Sequence, residues 1–194
     1  MRFAFALTSF AVLIGLTAGC GSTTPSPSRR DAALTAVVAY VDTEVEIAPD
    51  AGACRDDLGR GRAIVAADTA ICVAGFAQTL SEGADAVAAA AGPVSGDRES
   101  CATSRAALRQ DARGLGRDWR HVIDLVRRSA AANVGARSTT ITTAVAAADE
   151  QADAMLGDTL TAFSEACLSG VDARRAKELA DRHRGATHSS GQTI

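Results

Sequence analysis

The chain has 194 residues, 47% of them hydrophobic, and a net charge of −3, which suits one globular core and argues against general nucleic-acid binding. Aromatic residues make up only 4%, so the stacking platforms of single-strand binders are not to be expected. One lysine, Lys177, stands against nineteen arginines, and alanine is abundant; GC-rich coding produces this bias, which carries no mechanism.

The first element is a leader. Met1 and Arg2 precede an uncharged run from Phe3 to Ala18. That run is shorter than the roughly 20 apolar residues a membrane-crossing helix needs, so residues 1–19 read as a signal peptide. Its end is the informative part. Leu16-Thr17-Ala18-Gly19-Cys20 sets small residues before the first cysteine, and a Gly/Ser/Thr/Pro run follows.

These residues resemble the lipobox of bacterial lipoproteins, with Thr17 where that motif has an aliphatic side chain. The resemblance implies a thioether-linked, palmitate-type diacylglyceryl lipid on Cys20 and cleavage that makes Cys20 the new N-terminus. An ordinary secretory leader cut near Ala18 or Gly21 is the alternative. With two acyl chains, the anchor would hold stably at the extracytoplasmic face of the cell membrane. Residues 20–28 then form a tether, with no apolar periodicity to order them. Loss of Arg2 with the leader takes the net charge from −3 to −4.

Four helices are expected in residues 29–180, making an all-α, antiparallel four-helix bundle. The first covers about 29–48, with Leu34, Val37, Val38, Val41, Val45 and Ala48 on one face and Pro49 as its stop. A second runs over about 54–91 with Leu58, Val65, Cys72, Phe76, Leu80 and Val87, broken early by Gly59-Arg60-Gly61. The third, about 97–133, repeats Cys101, Leu108, Ala112, Leu115, Trp119, Val122 and Val126. The fourth, about 138–168 with continuation to Leu179 as the alternative, repeats Ile141, Val145, Ala148, Ala152, Met155, Thr159, Phe163 and Cys167. Residues 181–194 are polar and read as a disordered tail.

Four cysteines remain once Cys20 is set aside, and in an exported domain they predict two disulfides. None sits in a CxxC. Cys101 and Cys167 lie 34 residues before and 32 after Gly135, at matching heights on one hairpin, so they pair. Cys54 and Cys72 are left. They would stand about 27 Å apart along an unbroken helix, so their bond requires the chain to fold back at Gly59–Gly61.

Candidate chemistry is sparse. His183 and His188 fall in the expected tail, and His121 points to solvent on the helical wheel. No metal, cofactor or catalytic set emerges, and no enzyme is expected. Gly92-Pro93-Val94-Ser95-Gly96 has the wrong spacing for a nucleophile elbow. Gly114-Leu115-Gly116 lacks a preceding strand for nucleotide binding. One surface feature stands out. Arg98, Arg105, Arg109, Arg113, Arg120 and Arg127 share one side of the third helix, and residues 97–128 carry eight arginines against five acids. Such a stripe either meets an anionic partner, whether phospholipid headgroups, a cell-wall polymer or an acidic protein face, or pairs internally with Asp149 and Asp153 of the fourth helix. The expected function is therefore a non-catalytic binding module of the envelope, attached to the membrane by its lipid and without nucleic-acid partners. The alternative is a carrier or sensor with an apolar groove lined by Phe76, Trp119, Met155 and Phe163.

Overall fold

The computed structural model describes residues 29–60, 63–131 and 137–190. The expected leader, Cys20, the tether, Gly61, Gly135 and the final four positions of the expected tail lie outside these residues.

Among the described residues, five helical rods make an antiparallel bundle. They are α1 (Arg29–Gly59), α2 (Ala67–Ala90), α3 (Glu99–Ala131), a composite rod and α6 (Gly170–Ser190). The composite rod joins α4 (Ser138–Ala154), a π-helical turn (Met155–Thr159) and α5 (Leu160–Cys167). Among the described residues the only β pairing is an isolated bridge, Ile64 with Arg137. No helix described is long and apolar enough to cross a membrane.

Pro49 does not stop the first helix. α1 runs on to Gly59 with the proline inside it. An internal proline costs about 3 kcal/mol, and the extension buries Ala51, Cys54 and Leu58 against that cost. The break falls where the glycines were expected to place it, and α2 starts only at Ala67. Val45 and Ala48, expected on the inner face, are exposed.

Both expected disulfides are present. Cys54 and Cys72 have their Cα atoms 6.3 Å apart, and Cys101 and Cys167 theirs 4.8 Å apart. The first ties α1 to α2 across the fold-back, and the second ties the start of α3 to the end of α5. At the Cys54 end of the bundle, the Ser138 hydroxyl donates to the Leu58 carbonyl at 2.6 Å.

The core is built from small residues and a few large ones. Ala33, Ala77, Ala84, Ala112 and Ala148 are fully buried beside Trp119, Tyr40, Phe163 and Met155. Small contacts let helices approach closely. A Cβ on Gly83 would stand 3.0 Å from Cδ2 of the Tyr40 ring, so a larger residue at that crossing of α1 and α2 must push the ring aside.

Two features of the second half depart from the expected pattern. The π turn takes in one residue more than an α-helical turn, moving the inward face on by one position. Leu160, fully buried, therefore occupies the place expected for Thr159, whose hydroxyl instead donates to Asp111 on α3. Beyond Cys167 the chain turns at Gly170, in the left-handed region at φ 57°, and enters α6. Residues 181–190 are thus helix rather than tail. Ala176, Leu179, Ala180 and His183 are buried, because α6 packs between α1 and α5.

A candidate anion-binding cleft

Arg105, Arg109, Arg113 and Arg117 recur at four-residue intervals on α3, about 6 Å apart along one side of the helix. Opposite their lower end, the α2–α3 connection folds back through Pro93 and Val94 and turns at Gly96, where φ is 81°. Between the two lies a cleft of about 460 Å³. Its ends differ in chemistry. Ala91, Pro93, Val94, Ala102 and Ala106 give it an apolar lower end, and Arg109, Gln110, Arg113 and Arg117 line the rest. Among the described residues no carboxylate contributes to its lining.

Arg105 forms its floor and is not a surface residue. Its side chain is 1% exposed, with Nε donating to Asp97 Oδ2 at 2.8 Å. The guanidinium lies over the Phe163 ring, 5.4 Å from the centroid, and Nη2 is 3.9 Å from the Cys101 sulfur. Nη1 is buried without a hydrogen-bond partner. The sequence carried a sign of this placement: Arg105 follows the core residue Cys101 by four and precedes Leu108 by three.

The rest of the arginine stripe divides. Arg120 pairs with Asp85 of α2 at 2.6 Å, not with the fourth helix. Arg98 and Arg127 are exposed and lie outside the cleft lining. Arg109, Arg113 and Arg117 form no ion pair among the described residues. Arg117 and Gln110 were not singled out by the helical wheel, because the connection, not the helix alone, defines which side chains share the cleft.

The carboxylates expected to neutralise the stripe are engaged elsewhere. Asp149 accepts from Arg55 Nη2 at 2.9 Å. Burial pushes its carboxyl above the ordinary range, and Arg55 partly offsets this. Asp153 lies 2.6 Å from Nε2 of His183, whose Nδ1 is 2.9 Å from Glu44 of α1. Burial alone pulls the imidazole pKa down, but the two carboxylates outweigh it and hold the His183 pKa above its ordinary value. As an imidazolium it donates from both ring nitrogens and joins α1, α4 and α6. His121 is exposed, where the wheel placed it.

Phe76, Trp119, Met155 and Phe163 are packed into the core. The rings of Phe76 and Trp119 meet edge to face at 5.8 Å. None of the four lines the arginine cleft, nor a second cleft of about 530 Å³ between α5 and α6, where Glu165, Arg174 and Lys177 mix both signs of charge.

No family model matches the chain, and comparison with curated proteins and with solved structures finds no match.

Proposed function

We propose that this protein is an extracytoplasmic lipoprotein, anchored through Cys20 and presenting a non-catalytic helical domain that binds an anionic component of the cell envelope through the α3 cleft. The observation that carries this reading is the group of three arginines, Arg109, Arg113 and Arg117, gathered around a concavity that no carboxylate lines among the described residues. Guanidinium forks are suited to phosphate and carboxylate groups, which they engage through paired hydrogen bonds. The lipobox-like leader and the two disulfides support an address outside the cytosol. The test is cross-linking on intact cells with intact-mass analysis of the captured protein. The expected result is an acylated Cys20 and a cross-linked species lost when Arg109, Arg113 and Arg117 are changed to Ala. An unmodified leader in cytosolic extract would overturn the reading.

A further inference from the structure

We infer that the α3 cleft takes the phosphate headgroup of an anionic phospholipid, so that the domain lies with α3 down on the membrane that anchors it. This rests on the anchoring proposed above and adds its partner and its orientation.

The first argument is position. Tyr40 of α1 lies against Gly83 of α2. Tyr40 is about 16 Å along α1 from Arg29, and Gly83 is about 10 Å from the end of α2, at the usual rise per residue. The start of α1 and the α2–α3 connection therefore share one end of the bundle. Arg29, the start of α1, follows Cys20 by nine residues, a fully extended reach of at most about 32 Å. The cleft, beginning at Pro93 and Val94, lies at this same end.

The second argument is polarity along the cleft. Its lower end is apolar and its upper part is cationic. With the domain lying on α3, both ends face the interface side by side, the arginines against phosphates and Pro93 and Val94 against the apolar atoms of the headgroup region. With α3 reclining, the row from Arg109 to Arg117 runs parallel to the headgroup plane for about 12 Å.

Net charge gives the third argument. The α3 segment 97–128 is +3 in an exported chain that is −4 overall, which leaves −7 on the remainder. A domain so polarised turns its basic helix toward an anionic surface and its other faces away. Arg105, already neutralised by Asp97, holds the cleft floor while the three outer arginines supply the charge.

The test is an arginine footprint. The full chain, purified in detergent, is placed in mixed micelles of detergent with phosphatidylcholine or with phosphatidylglycerol and modified with phenylglyoxal, and the modified peptides are mapped by mass spectrometry. Phosphatidylglycerol is expected to slow modification of Arg109, Arg113 and Arg117 by about fivefold, with exposed Arg175 on α6 unchanged. Buried Arg105 stays unmodified throughout, which verifies that the protein is folded. The proposal is overturned if phosphatidylglycerol gives no protection, if Arg175 is protected equally, or if inorganic phosphate at the same concentration protects as well. Intact mass of the same sample separates the two readings. An acylated Cys20 without the footprint removes the headgroup site alone, whereas the footprint with an unacylated Cys20 removes the tether and leaves the site.

Discussion

Arg105 and Asp97 form an ion pair whose two side chains are each 1% exposed, at 2.8 Å. The pair fixes the connection before α3 to the helix itself, and its cationic member stacks on Phe163 of α5. Removing one partner leaves the other buried and uncompensated, at a cost of about 3–5 kcal/mol. Arg105→Ala and Asp97→Ala are each expected to lose that much in urea unfolding. A loss below about 1 kcal/mol would show the pair to be dispensable.

Changing the outer arginines should act in the opposite manner. Arg109→Ala, Arg113→Ala and Arg117→Ala break no ion pair among the described residues, so together they are expected to shift stability by only about 0.5 kcal/mol. Binding of anionic micelles, by contrast, should weaken steeply and lose most of its salt dependence. Thermal unfolding and a salt titration on one triple variant check both halves.

The imidazole of His183 gives the bundle a pH dependence with a definite sign. Its pKa in the folded chain is raised above the unfolded value by Glu44 and Asp153 despite burial. Its contribution is therefore fully present below the unfolded pKa, near 6.5, and is lost as pH rises through the folded value. The melting-temperature gap between wild type and His183→Gln is expected to be largest near pH 6 and to narrow toward alkaline pH. A gap that widens with pH would reverse the assignment.

The two disulfides should differ in worth. Chain entropy assigns about 4 kcal/mol to Cys101–Cys167, which closes 66 residues, and about 3 kcal/mol to Cys54–Cys72, which closes 18. Double serine variants, compared in denaturant, are expected to follow that order. Equal or inverted losses would mean that local packing outweighs loop length.

Two helix glycines should respond oppositely. Gly75 of α2 has nothing within 4 Å of an added Cβ, so Gly75→Ala is expected to stabilise by about 1 kcal/mol through helix propensity. Gly83→Val drives methyl groups into the Tyr40 ring and should destabilise. Melting temperatures that move the same way would contradict the close crossing of α1 and α2.

The helical class and both cysteine pairings were legible in the sequence because periodicity and residue spacing are local quantities. What escaped depended on other segments. Pro49 looked like a stop because its local cost was visible, while the burial of Ala51, Cys54 and Leu58 that outweighs it was not. His183 sits in a polar stretch whose apolar members are few, and only α1 and α4 supply the carboxylates that draw it inward. The arginines of α3 could be placed on one side of a helix, but not divided into floor, neutralised and cleft-lining members, since Asp97, Asp85 and the Pro93 turn make that division. Thr159 was placed inward by steady helical stepping, which the π turn interrupts.

The wide turn at Met155–Thr159 also sets how the chain tolerates changes of length. It already accommodates one residue beyond regular winding, so a chain shorter by one there can wind as plain α-helix and still bring Cys167 to Cys101. A chain longer by one has no such slack, and would swing Phe163 and Cys167 about 100° off α3. Loss and gain of a single codon at this place are therefore unequal events: the first keeps the Cys101–Cys167 bond and the stacked Arg105, and the second separates both.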